Sequence, residues 1–166
     1  MPNKQAWSST TLANGMRVVA TPLPHSQAAS LAVYVGVGSR AEARETLGLS
    51  HYLEHMLFKG TESRPTAIEI SSAIEGAGGM LNAFTTKELT CFWNRVPYDR
   101  VDLAFDVLSD SLRSSLLTEE EIERERTVIQ QEIRRSLDEP GQRTFQLLSE
   151  AAYGDQPIGW DIAGDL

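Results

Sequence analysis

Hydrophobic residues recur along the chain with two periods, an alternation typical of strands and a spacing of three to four residues typical of helices. Five segments have the composition of β-strands: residues 8–12, 16–21, 31–37, 80–84 and 89–96. The first two flank Asn14-Gly15, a dipeptide that favours the tight turn of a β-hairpin. The third is an almost continuous apolar run, which predicts a buried strand.

Helical patterns occupy most of the remaining chain. Five helices are predicted, around residues 49–58, from Pro65, from Pro97, from Thr118 and around residues 145–152. The third should bury the stripe Val101, Ala104, Phe105, Leu108 and Leu112. The fourth should start with a capping box between Thr118 and Glu121 and stop before Pro140. Hairpins mixed with paired helices favour an α+β fold built in layers.

The chain of 166 residues is long enough for one domain with one hydrophobic core. Residues 153–160 are rich in turn formers, and no closing strand or helix is predicted after them. We therefore expect a single domain over residues 1–166 that is incomplete at its carboxyl end.

The net charge of −8 argues against a nucleic-acid partner, because phosphates require a basic surface. The chain has one cysteine and cannot form an internal disulfide. The sequence therefore gives no sign of an oxidising compartment. The first residues contain neither an apolar segment nor an arginine-rich pattern, and no membrane span is expected. The default expectation is a cytoplasmic protein.

The segment His51-Tyr52-Leu53-Glu54-His55 puts three polar side chains on one side of a predicted helix. Helical residues advance about 100° each, so His51, Glu54 and His55 share one arc, opposite the apolar residues. Two imidazoles four residues apart can bind one metal ion. Glu54 lies close enough to accept a proton from water on that metal. The alternative is a polar helix face that contains two histidines by chance.

Two carboxylates interrupt the apolar face of the predicted fourth helix. Glu125 and Glu132 are seven residues apart and lie on one line of that helix, between Val128 and Ile129. A carboxylate that faces a core is costly unless it is paired or bound to a cation. The two residues therefore indicate a positive charge nearby, the alternative being a widened solvated edge of the helix.

A catalytic zinc site usually takes three protein ligands and leaves one position for water. We predict that Glu132 joins His51 and His55 to hold one zinc ion per chain. Glu125 would orient a histidine ligand or tune the charge of the site. A short strand at residues 82–85, just after two glycines, could also present its backbone to an extended peptide, the alternative being an ordinary strand and turn.

The segment at residues 51–55 resembles the inverted zinc motif H-x-x-E-H of the inverzincins. Together with residues 38–42, 48–50, 56–61, 81–85 and 138–140, it resembles the pitrilysin/insulinase/mitochondrial processing peptidase family. In that family a distal glutamate follows the second histidine, and residues 56–131 separate His55 from Glu132 with the family's spacing. A further family glutamate lies seven residues earlier, at the position of Glu125.

The resemblance implies a mixed β-sheet with helices packed on it and a zinc-dependent endopeptidase. It assigns the roles as follows: His51, His55 and Glu132 as zinc ligands, Glu54 as general base, Glu125 as a supporting catalytic residue, and Asn82 and Ala83 as contacts to the substrate backbone. The family cleaves extended peptides in a chamber closed by a second homologous half or subunit, which supplies an arginine and a tyrosine. We find no equivalent of that half in this sequence.

Three functions remain to be compared. A zinc endopeptidase, or the metal-bearing part of one, accounts for the complete motif. A binding or assembly subunit is the second hypothesis, because the family contains non-catalytic partners, although these typically lose the motif. A structural zinc domain is the third, and it would usually have four protein ligands. We expect the chain alone to bind zinc but to cleave peptides slowly or not at all.

Overall fold

The computed structural model describes residues 7–166. The strands of this part are β1 (Ser8–Thr11), β2 (Arg17–Ala20), β3 (Ala28–Val35), β4 (Met80–Thr85) and β5 (Thr90–Pro97). The α-helices are α1 (Leu49–Met56), α2 (Ala67–Glu75), α3 (Val101–Arg113), α4 (Glu119–Asp138) and α5 (Pro140–Tyr153). The architecture is α+β, as predicted. Over residues 7–166, no helix is both long and apolar enough to cross a membrane.

The strands form two sheets in which all neighbours run antiparallel. β1 and β2 pair as a separate hairpin, which confirms the turn predicted at Asn14-Gly15. The second sheet has the order β3-β5-β4, so β5 is central and β4 is an edge strand. The described strands are thus purely antiparallel, whereas the family resemblance implied a mixed sheet.

The core lies between β5 and the helices α2 and α3. One cluster of buried side chains comprises Ile70, Ile74, Val96, Ala104 and Val107. A second comprises Leu57, Phe92 and Leu108, next to the end of α1. Helix α1 is thereby anchored to the sheet at its carboxyl end, and it also packs against α4. This arrangement sets the positions of the two helices that carry the predicted site.

Strand β3 differs from its prediction as a buried strand. It begins at Ala28 rather than residue 31, ends at Val35, and alternates between half-buried and exposed positions. The Tyr34 side chain is 65% exposed. The reason is that β3 is an edge strand with one face covered, so its apolar composition does not mean burial on both faces.

Two helices also differ in detail. Phe105 was expected in the core stripe of α3 but is exposed, and Val107 is buried in its place. At the start of α4, Thr118 accepts the backbone N–H of Glu121, and no return bond from Glu121 completes the predicted capping box. Helix α5 begins at Pro140, earlier than predicted, because the Glu139 side chain caps its first turn.

Candidate metal centre

The amino-terminal end of α1 is fixed by a carboxylate from the preceding loop. Glu42 accepts the backbone N–H groups of Gly48 and Ser50, each at 2.7 Å. Such capping satisfies N–H groups that have no partner within the helix, and it places negative charge where the helix dipole favours it. Gly48 precedes the helix with φ of +88°, a conformation that strains other residues. The first turn, which carries His51, is therefore held firmly.

Helix α1 is also tied directly to α4. The Tyr52 hydroxyl donates to the backbone carbonyl of Ile122, and Met56 and Leu57 are buried in the core at the other end. His51, Glu54 and His55 lie on the side of α1 toward α4 and the end of β4, and all three are half-buried. Of the apolar residues on the other side, Met56 is buried, whereas Leu49 and Leu53 are exposed.

Three donor atoms converge between α1 and α4. The Nε2 atoms of His51 and His55 lie 3.2 Å apart. Oε2 of Glu132 lies 3.6 Å from Nε2 of His55 and 3.9 Å from Nε2 of His51. Among residues 7–166, these three residues form the one group of histidine, cysteine and acidic side chains close enough to hold a metal ion together.

The spacing of these atoms fits a zinc ion. Zinc binds nitrogen and oxygen at about 2.0–2.1 Å in tetrahedral geometry, which separates its ligand atoms by about 3.3 Å. The observed separations of 3.2, 3.6 and 3.9 Å lie near that value. Two imidazoles and one carboxylate also match the donor set of catalytic zinc sites, which keep a fourth position open.

Glu125 is the most deeply buried acid near the cluster, at 2% exposure. Its Oε1 lies 2.7 Å from Nδ1 of His55, and its Oε2 lies 2.6 Å from Nζ of Lys59. Burial raises the pKa of Glu125, but the hydrogen bonds from Lys59 and His55 outweigh it, and the pKa falls below its ordinary value. The lowered pKa favours the carboxylate, to which His55 donates its Nδ1–H, and the lone pair of His55 Nε2 is then available to a metal ion.

The environment of His51 favours the neutral form of its ring. Burial lowers the pKa of His51, and His55 lowers it further, against the opposing charges of Glu54, Glu132 and Asp161. A neutral imidazole is the form that binds metal. The Nδ1 atom of His51 is buried and has no hydrogen-bond partner in the described part of the chain.

Glu54 lies on the same side of α1 and contacts the sheet. The Thr85 hydroxyl, at the end of β4, donates to Oε2 of Glu54 at 2.5 Å. This bond holds one carboxylate oxygen in place and leaves Oε1 to accept a proton. Asn82 and Ala83 lie on the same edge strand, where Asn82 is exposed and its Oδ1 accepts the N–H of Ala83 at 2.8 Å.

The structure thus brings the two histidines together with Glu125 and Glu132 of α4, with Glu54 beside them. One aspect of the prediction is wrong. Glu132 does not face the protein interior, since its side chain is 48% exposed, whereas Glu125 is buried. The two residues share one line of α4, but only the amino-terminal one is covered by α1 and the segment after it.

Several residues of the centre were missed by sequence reasoning. They are Glu42, Lys59, Thr85 and Asp161. The contacts of Thr85 with Glu54 and of Lys59 with Glu125 join positions far apart in the chain, which no periodicity links. Glu42 contacts residues only six and eight positions away, but in a loop that has no regular period. Glu42, Lys59 and Thr85 shared one detectable signal, because each lies in a segment that resembles the family.

An α+β domain with two histidines and a glutamate around one point has the ligand set found in catalytic zinc sites. The sequence model of one family, Insulinase (Peptidase family M16), matches residues 17–166. The chain belongs to this family. That assignment agrees with the resemblance carried by the H-x-x-E-H motif.

Curated relatives support the assignment. The chain is 43% identical to an uncharacterized zinc protease of Streptomyces coelicolor, over 95% of this chain and 34% of the relative. It is 41% identical to the beta subunit of the mitochondrial-processing peptidase of Lentinula edodes, over 93% of this chain and 33% of that protein. The chain therefore spans about a third of the length of these relatives.

Solved structures share the fold. A protease from Helicobacter pylori superposes with a TM-score of 0.91 at 29% identity, over 97% of this chain and 39% of that one. Pitrilysin superposes with a TM-score of 0.86 at 30% identity, over 99% of this chain and 18% of that one. Residues 7–166 thus have the same fold as one part of these larger proteases.

Proposed function

We propose that this chain is the metal-bearing part of a zinc metalloendopeptidase that hydrolyses peptide bonds in extended peptides. His51, His55 and Glu132 would hold the zinc ion. The observation that carries the proposal is the convergence of their three donor atoms at separations of 3.2 to 3.9 Å. The proposal is also supported by curated relatives that are named as zinc proteases.

Zinc in such a shell would supply Lewis acidity, which acidifies water and polarises a peptide carbonyl. Glu54 is the proposed general base, because its carboxylate lies one helical turn from His51 and is oriented by Thr85. The same group would return the proton to the leaving amine. Glu125 is proposed to fix the His55 ring, since a histidine ligand is commonly held by a carboxylate on its second nitrogen.

The substrate is proposed to bind along β4. This strand is an edge of its sheet in the described residues, so the backbone groups that face away from β5 are available to an extended peptide. Asn82 and Ala83 would contact that peptide, and Thr85 on the same strand leads directly to Glu54. An added strand would thus run past the proposed base.

We further propose that a second homologous half or subunit closes the active chamber, and that the protein acts in the cytoplasm. One relative is named as a subunit, which is in keeping with assembly from parts. Zinc and base alone do not hold a peptide in register or stabilise an oxyanion, contributions each worth orders of magnitude in rate. The 166-residue chain by itself should therefore bind zinc but cleave peptides very slowly.

The decisive variant is Glu54→Gln, which keeps the size of the side chain and removes the base. In the intact protein it should retain zinc, measured by elemental analysis, and lose turnover of a quenched fluorescent peptide library. Loss of zinc in Glu54→Gln would mean that Glu54 is a ligand. Absence of turnover in the intact wild-type protein, with zinc bound, would favour a non-catalytic assembly subunit.

A further inference from the structure

Lys59 takes no part in the chemistry proposed above, yet it lies against the centre. Its Nζ is 2.6 Å from Oε2 of Glu125, and its side chain is 26% exposed. The other oxygen of the same carboxylate meets Nδ1 of His55 at 2.7 Å. The carboxylate of Glu125, with 3% of the side chain exposed, is thus held between a cation and a candidate zinc ligand.

The segment after α1 determines where Lys59 stands. The backbone N–H of Lys59 donates to the carbonyl of Met56 at 3.1 Å, which continues the turn of α1. Met56 and Leu57 are buried, so this turn is anchored in the core. His55 and Lys59 therefore lie on one segment that is anchored in the core. They contact the two carboxylate oxygens of Glu125, which lies on α4.

A buried carboxylate needs partners for both of its oxygens, because an unsatisfied buried charge is costly. Without Lys59, Oε2 of Glu125 would lose its hydrogen-bonded cation. The carboxylate would then turn toward water or another donor and carry the His55 ring with it. The orientation of His55 would then depend on Lys59 through the carboxylate that the two residues share.

We propose that Lys59 is a positioning residue of the metal centre, which holds the Glu125 carboxylate so that the His55 ring keeps its Nε2 directed at the point shared with His51 and Glu132. This inference rests on the proposed zinc site. It adds that zinc affinity depends on Lys59, which acts on His55 through the carboxylate of Glu125.

The test is a double-mutant cycle in the intact protein, with zinc affinity measured by competition with a chromophoric chelator. Lys59→Met should weaken zinc binding by about 10-fold to 100-fold, the usual effect of losing a residue that supports a ligand. Glu125→Gln should weaken it similarly. The double variant should be no weaker than Glu125→Gln alone, because Lys59 acts only through that carboxylate.

Lys59→Arg should preserve affinity, since it restores a cationic donor to Glu125. Arg124→Met, which removes a solvent-exposed cation one residue from Glu125, is the matched control and should change nothing. If Lys59→Met does not fold, Lys59→Gln, a neutral donor, takes its place in the cycle.

A second readout does not require zinc. Nitrogen NMR of the metal-free protein should show His55 protonated at Nδ1 in the wild type and a mixture of tautomers in Lys59→Met. Additive losses of affinity in the cycle, or an unchanged His55 tautomer, would overturn the inference. A wild-type protein that binds zinc while Lys59→Met binds it equally well refutes this inference alone. A wild-type protein that binds no zinc refutes the proposed function as well.

Discussion

Replacing Glu132 by alanine tests the proposed zinc site at a residue whose loss should change metal binding far more than folding. The Glu132 side chain is 48% exposed, so truncation removes little packing. Substitutions at such sites usually change stability by about 0.5 kcal/mol or less. The same change removes one of three donor atoms, whose oxygen lies 3.6 and 3.9 Å from the histidine nitrogens.

The expected loss of affinity follows from the energy of zinc binding. Structural zinc sites with four protein ligands bind zinc with about 10–16 kcal/mol, so one ligand accounts for about 2.5–4 kcal/mol. Each tenfold change in Kd corresponds to about 1.4 kcal/mol, so the Kd for zinc should rise on the order of 100-fold. The thermal unfolding midpoint of the metal-free protein should stay the same.

The assay combines elemental analysis of zinc after gel filtration with chelator competition and a thermal melt. Glu120→Ala is the matched control, because it removes an 80% exposed glutamate from the same helix. An unchanged zinc affinity in Glu132→Ala would show that Glu132 is not a ligand. A large drop in the melting temperature of the metal-free variant would refute the argument from exposure.

Three further perturbations test other parts of the structure. Thr85→Val should retain zinc but lower kcat by about tenfold, because it removes the hydroxyl that orients Glu54; an unchanged kcat would contradict this role. An NMR titration of the metal-free protein should place the midpoint of His51 below 6.5, since burial disfavours its charged form; a midpoint above 6.5 would refute that reasoning. Gly38→Ala should lower the free energy of unfolding by about 1–3 kcal/mol, measured in denaturant, because its Cβ would overlap backbone atoms of the turn before β5. The control Gly36→Ala, whose Cβ meets nothing within 4 Å, should cost much less, and equal losses would contradict the steric argument.

Local periodicity was enough to predict much of this protein. The placement of His51, Glu54 and His55 on one side of α1 follows from the 100° advance of helical residues, which depends on no distant contact. The hairpin at Asn14-Gly15 follows equally from local turn geometry. The α+β class followed from the order of such elements, and the motif spacing pointed to the family.

Only the tertiary structure decided which side chains surround the centre. Glu125 and Glu132 are equivalent in the helical pattern, yet one is buried and the other half-exposed, because the end of α1 covers only the first. The bond from Thr85 to Glu54 depends on how β4 meets α1, and Lys59 contacts Glu125 of α4 from the segment that follows α1. Glu54 and Thr85 are separated by 31 positions in the sequence, and Lys59 and Glu125 by 66. A helical or strand period describes one element at a time, so it cannot specify how two elements meet.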